Sequence, residues 1–225
     1  MTKTNQQKVK DFLINNGVII VMFILVIYTG FTSDNFFTKN NFMNILMNMS
    51  SRLVIALGIA GCVITAGCDL SAGRMIGFGA CISGMLLQRM DYSGKFFPDM
   101  QPLNVFVVAL IAMLVCAAFG TVTGFFIAYL NVPPFIATLA MMEIVYGIGL
   151  IVTNATPLGG YVEQYTNVSN GKFLGINYLI WIAIIVAAIT WFIFNMTRHG
   201  KYMYAIGGNP QAAEVAGVPV KKTLI

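Results

Sequence analysis

Ionisable and nucleophilic side chains are scarce in this sequence: charged residues make up 9% of the chain and hydrophobic residues 58%. Asp69 is the first candidate for chemistry. It stands in Cys68-Asp69-Leu70-Ser71-Ala72-Gly73-Arg74, between two apolar runs. An ionisable residue between apolar segments is costly to bury unpaired and is therefore a functional candidate. Two readings stay open. Asp69 and Ser71 could line a polar path, or they could cap the start of a helix, with Asp69 neutralised by Arg74. Thr138 has the same ambiguity, since a threonine inside an apolar helix also bonds its own backbone. Glu143 falls inside another apolar run, either protonated, paired across a bundle or peculiar to this protein, and is assigned no role.

Other chemistries lack their residues. Cys62, Cys68, Cys81 and Cys116 are scattered without a Cys-x-x-Cys spacing and read as buried reduced thiols. His199 is the only histidine and has no ligand-like neighbours, so no metal site is expected. No Gly-x-x-x-x-Gly-Lys-Ser/Thr loop is present to cradle phosphates. No cluster of His, Cys or carboxylates points to catalysis, so a membrane enzyme or purely structural subunit ranks last. An Asn-x-Ser/Thr triplet at Asn167 would matter only in a glycosylating pathway.

The elements that hold these residues are membrane helices. An ordinary soluble domain carries roughly 25% charged residues, and here the apolar residues fall in long runs. The net charge of +5 comes from basic residues gathered at the ends, Lys3, Lys8 and Lys10 in front and Arg198, Lys201, Lys221 and Lys222 behind. It requires no nucleic acid. By the positive-inside rule both ends are cytoplasmic, which demands an even number of crossings.

Residues 1–11 form a basic tail, and Phe12 to Phe31 is long enough for an uncleaved first span. Ser33 to Arg52 is polar, Asn-rich and expected outside. Leu53 to Gly67 and Met75 to Gln88 are each short of the roughly 20 residues a perpendicular span needs. They read as short spans or as a re-entrant pair of half-helices meeting near Asp69. Leu103 to Leu130, Phe135 to Thr153 and Ile176 to Met196 are further spans, the first with a Gly120-x-x-x-Gly124 pair that either permits close helix contact or is incidental. The expected fold is an all-α polytopic transmembrane bundle over residues 12–196, with short or discontinuous helices around Asp69.

Residues 197–220 are polar again, and they hold a short helix whose ends are written in the sequence. Asn209 suits the N-cap, Pro210 the first helical position and Gly217 the left-handed residue after the last turn. An isolated helix of two turns is marginal in water, so it must rest on something. It is either a surface cap or a docking element through which a soluble motor pushes on the bundle.

Three separated stretches, ITAGCDLSAG from Ile64 to Gly73, VPPFIATLAM from Val132 to Met141 and AIGGNPQAAEVAGV from Ala205 to Val218, carry a family resemblance. In order and spacing the chain resembles the permease subunits of bacterial sugar importers driven by ATP-binding cassettes, the branch that carries ribose, arabinose, xylose and galactose. Arg52 to Gly61, Leu86 to Asp91 and Phe126 to Asn131 are most similar to its galactose-type members. The resemblance implies a multi-pass subunit of the bacterial inner membrane with a cytoplasmic N-terminus, two permease copies, a separate ATPase subunit and an external sugar-binding protein. It implies that this chain binds no cofactor, ATP and Mg being used by the ATPase. Asn209 to Ala216 would be the coupling helix. Gly207, Gly208, Asn209, Pro210, Ala212, Ala213 and Gly217 would serve the coupling to the ATPase, and Asp69, Ser71, Arg74 and Thr138 the substrate path. Glu214 departs from the family's coupling helix, and Glu143 from its usual uncharged span. Family members continue into further spans, so residues 221–225 read as the start of another one and the sequence as part of a longer permease, or else as a non-transporting remnant. A proton-coupled secondary sugar transporter leaning on Asp69 or Glu143 is the alternative.

Overall fold

The computed structural model describes Leu13, Ile14 and Asn16 to Ile225. The basic tail and, of the expected first span, Phe12 and Asn15 lie outside the described residues. The rest is helical apart from loops and one hairpin. By contacts the chain divides into residues 1–48 and 49–225, a boundary that falls within a helix.

In the first unit, α1 (Gly17–Thr32) is apolar all round, and none of its residues is buried within the chain. Lipid is the solvent that suits such a surface. A turn over Ser33–Thr38 leads into α2 (Lys39–Ile64). The polar stretch Ser33 to Arg52, expected outside, is therefore helical from Lys39 onward, as part of a helix long and apolar enough to cross a membrane. Helix propensities differ by less than about 1 kcal/mol per residue, and continuity with the apolar Leu53–Ile64 outweighs them.

The second unit is built around α3 (Ala72–Leu86), α4 (Val105–Leu130) and α5 (Pro134–Val152), which pack pairwise against one another. Phe78 and Ile82 of α3, Ala112 of α4 and Met141 and Val145 of α5 form the core, and the Phe78 and Phe119 rings meet edge to face at 5.6 Å. The sequence permits this because α3 and α5 supply small or slender residues beside each large one, such as Gly149, whose Cα faces the Phe78 ring. Asn104 caps α4 by accepting from Phe106 N at 2.9 Å, and Asn131, in the left-handed region at φ 53°, ends it. Pro133 and Pro134 then start α5 directly, Pro134 occupying its first position.

Beyond α5 come α6 (Glu163–Asn170), a hairpin of β1 (Lys172–Phe173) and β2 (Ile176–Asn177), α7 (Tyr178–Met196), α8 (Arg198–Gly208), α9 (Pro210–Val215) and α10 (Val220–Thr223). Among the described residues four helices, α2, α4, α5 and α7, are long and apolar enough to cross a membrane, and α1 and α3 are shorter apolar helices. Fifteen residues give α3 a length of roughly 22 Å, short of a bilayer's hydrocarbon core of about 30 Å. The large apolar side chains that point outward, such as Phe106, Leu114, Ile151 and Phe192, are those a transmembrane bundle offers to lipid.

On the side where α3 ends, two loops are tied together by one side chain. Gln88, 1% exposed, donates to Gly159 O at 3.1 Å and accepts from Phe96 N at 2.7 Å. Backbone bonds from Arg89 N to Gly160 O and from Val162 N to Leu87 O flank it, and Tyr92 lies over Gly160. Burial beside Tyr165 pushes the Tyr161 phenol above its usual range, and its hydroxyl donates to Leu158 O at 2.9 Å.

Candidate functional site

The break between α2 and α3 is made by backbone hydrogen bonding. Gly67 N donates to Cys62 O at 2.8 Å and Ala66 N to Val63 O at 3.1 Å, with Ala66 in the left-handed region at φ 58°. This is a Schellman closure in which alanine holds the place usually given to glycine. The chain then turns through Cys68 to Asp69. The Asp69 carboxylate accepts from Ser71 N at 2.8 Å and from Ser71 Oγ at 2.7 Å, an Asx turn that leads into α3, whose N-cap Ser71 makes no side-chain capping bond within the helix. An aspartate is favoured there because the first backbone N–H groups of a helix lack partners and the helix dipole is positive at that end.

Arg74 does not neutralise Asp69. Its guanidinium sits 3.9 Å from the centroid of the Tyr146 ring on α5. Among the described residues the ion pair within 4.0 Å joins Arg89 and Asp91 instead. The reason is helical geometry: Arg74 lies on the face of α3 turned to α5, where an aromatic ring is available at closer range.

Thr138, 4% exposed, stands one turn into α5. Its hydroxyl donates to Pro134 O at 2.8 Å, with Cys68 O at 3.3 Å on its other side. It thus bonds its own helix and also touches the break. Asp69, Ser71 and Thr138 share one cavity of about 480 Å³, and Arg74 lies outside it. Thr65, Thr121 and Thr123 add hydroxyls to the same wall. Sequence reasoning missed these three. Thr121 and Thr123 follow Gly120 in α4, a small-residue patch that hinted at close approach. Gly120 itself faces open space in the cavity, whereas Gly124 lies against the Leu224–Ile225 backbone. A side chain at Gly124 would come within 2.9 Å of Ile225 Cα.

Ile206 of α8 and Pro210 of α9 complete the lining. Thr197 caps α8 through its hydroxyl, which accepts from Gly200 N at 3.3 Å, and α8 runs to Gly208 with only Asn209 separating it from α9. The sequence alone marks no helix over 198–208, a polar stretch that holds Gly200, Gly207 and Gly208. Those glycines serve packing: a side chain at Gly207 would collide with the Ile64 carbonyl at the end of α2, and one at Gly200 with Phe194 O. Gly208 faces open space.

The short helix has the ends its sequence spells out. Asn209 Oδ1 accepts from Ala212 N at 3.0 Å, and Pro210 takes the first position. Gly217, at φ 83°, sends its N–H to Glu214 O at 3.0 Å, while Val218 N reaches Ala213 O at 3.0 Å. Ala213 turns inward, 4% exposed, and Val215 is held out at 92% exposed. Val215 is a further residue the sequence did not single out. Glu143 faces outward on α5, and among the described residues its carboxylate has no ion pair. Among those residues no three of His, Cys, Asp and Glu come together where they could hold a metal ion.

A cavity with several hydroxyls stands at a helix break inside an apolar bundle, with the first residue of a short capped helix on its wall, an arrangement that fits a component of a membrane transport system. The chain belongs to the permease family of ATP-binding-cassette importers: residues 41–225 match the family described as branched-chain amino acid transport system / permease component. It is 39% identical to the galactose/methyl galactoside import permease protein of Escherichia coli, over 100% of this chain and 69% of that protein. The protein of the same name in Haemophilus influenzae is 40% identical over the same shares. The ribose import permease protein of Escherichia coli is 31% identical over 96% of this chain and 65% of its own length. No solved structure matches significantly. The chain is thus a multi-pass membrane transport component, and importers of its family work with an ATPase and a substrate-binding partner.

Proposed function

We propose that this chain imports a monosaccharide of the galactose or methyl galactoside type as one of two permease copies, driven by a separate ATPase. The observation that carries the reading is that one cavity joins the Asp69–Ser71 break to Ile206 and Pro210. A ligand path and a motor contact would then share a wall, which is the coupling a driven transporter needs. The names of the relatives at 39% and 40% identity support the sugar.

In this reading Thr65, Ser71, Thr121, Thr123 and Thr138 offer hydroxyls for short-lived bonds to sugar hydroxyls, while Asp69 keeps α3 in place beside them. Arg74 acts outside the path, holding α3 to α5. The cap residues Asn209 and Gly217 fix α9, Gly207 lets α8 bear on the end of α2, and Val215 enters a groove of the ATPase. The chain binds no cofactor of its own, and ATP and Mg are used by the ATPase. The basic residues at both ends put them, with α9, in the cytoplasm. An external sugar-binding protein delivers the substrate to the opposite face.

The test is reconstitution of the protein with its ATPase and sugar-binding protein in proteoliposomes. Galactose uptake should require ATP and should persist when the proton gradient is collapsed, with ribose a poor competitor. Deletion of Asn209 to Ala216 should abolish copurification of the ATPase while membrane insertion stays intact. If the ATPase still copurified normally, the coupling role of α9 would be wrong.

A further inference from the structure

The hairpin before α7 breaks a local rule. Lys172 pairs with Asn177 and Phe173 with Ile176, which leaves a two-residue turn of Leu174 and Gly175, both at positive φ, 52° and 77°. Such a turn favours Asn-Gly, because asparagine and glycine enter the left-handed region with little steric cost. Leucine does not, and here it stands 78% exposed at the tip with Phe173 55% exposed beside it. Among the described residues no packing rewards the choice, since Leu174 is left exposed.

The tip is also fixed rigidly to the helix that follows. Asn177, 3% exposed, accepts from Leu179 N at 2.8 Å as the cap of α7 and donates to Ser169 O at 2.6 Å. Trp181, in the first turn of α7, donates its indole N–H to Phe173 O at 3.3 Å, and the two rings meet at 6.3 Å. The depth of the tip is therefore the depth of the start of α7. Nineteen residues give α7 a length of roughly 28 Å, close to the hydrocarbon thickness of about 30 Å. Both ends of α7 then fall at the membrane boundary, where tyrosine and tryptophan are enriched, and Tyr178 and Trp181 are found at this one.

From this placement we infer that the Lys172–Asn177 hairpin is an interfacial lipid anchor. Phe173 and Leu174 insert among the upper acyl chains, and the Lys172 ammonium stays at the level of the lipid phosphates. The occupant is the bilayer itself, because the apolar tip is continuous with the lipid-facing start of α7 and is flanked by a single cation. The anchor pins the outer end of α7, so that movement of α8 at the other end tilts the helix about a fixed point.

The experiment places a fluorescent label at the tip of the whole protein in phospholipid vesicles. Cys62, Cys68, Cys81 and Cys116 are replaced by alanine, and Leu174→Cys is labelled with an environment-sensitive dye, with Asp99→Cys as an aqueous reference. Nitroxide-bearing lipid, labelled near the headgroup, should quench the Leu174 label several-fold more than the Asp99 label, and iodide should do the reverse. In a Trp191→Phe background, Leu174→Asn suits the turn better and keeps the fold. It should nevertheless shift Trp181 emission to the red, as the tip leaves the acyl chains. A Leu174 label that iodide reaches freely and lipid nitroxide leaves bright overturns the proposal and marks the tip as a surface for a water-soluble partner. An unshifted Trp181 emission in Leu174→Asn counts against it independently of labelling.

Discussion

Asp69 accepts two hydrogen bonds from Ser71 and has no cationic partner among the described residues, and this separates its two possible uses by charge. Asp69→Asn keeps an acceptor oxygen for Ser71 N, so a structural role predicts near-normal uptake and thermal stability. Asp69→Ala removes both bonds to Ser71 and should cost about 0.5–1.5 kcal/mol, read as a lower melting temperature in detergent. A large loss of uptake in Asp69→Asn with unchanged stability would instead give the charge itself a role in transport. Tyr161 adds a pH prediction. Its phenol is raised in the folded protein, so its contribution to stability is complete below the ordinary tyrosine pKa of about 10 and is lost as pH rises beyond it. Tyr161→Phe should flatten that alkaline loss in a thermal-unfolding series. At this scale the sequence was legible where the chemistry is local. The Asp-x-Ser spacing before Ala72 announces a turn and the Asn209–Pro210 pair a cap, because the bonds they make span two or three residues. The partner of Arg74 was not legible, since Tyr146 is distant in sequence and only packing brings it near.

At the scale of elements, the contact that matters is α8 against α2. A methyl group at Gly207 would strike the Ile64 carbonyl, so Gly207→Ala must push α8 away from the end of α2. The strain should amount to about 1–3 kcal/mol, and ATPase binding should survive while sugar uptake falls. The paired measurement is copurification against transport, and equal loss of both would remove α8 from the coupling path. Val215→Asp should show the opposite pattern on α9, with weakened ATPase binding and an undisturbed fold, because its side chain touches almost nothing in this chain. Elements with strong periodic or capping signals, α4, α5, α7 and α9, were readable in advance. The helices over Lys39–Arg52 and Arg198–Gly208 were not legible in advance: the first is carried by continuity with the apolar Leu53–Ile64, and the second by the packing of Gly200, Met203 and Ile206.

For the whole molecule, the sequence pointed to a helical membrane bundle with a discontinuity at Asp69, and the structure has α3 too short to span and entered through a tight reversal. The cavity itself could not be read from sequence. Its hydroxyls come from α4, α5 and the break, so it exists only once three elements are packed. Gln88 shows how the opposite face is kept in one piece. Its single amide holds Gly159 with one end and Phe96 with the other, and it is almost wholly shielded from water. Two loops joined through one buried group open together or not at all. The amides of Arg89, Phe96 and Val162 should therefore exchange with deuterium at a common rate, and Gln88→Ala should let all three exchange early while the amides of α4 and α5 keep their protection.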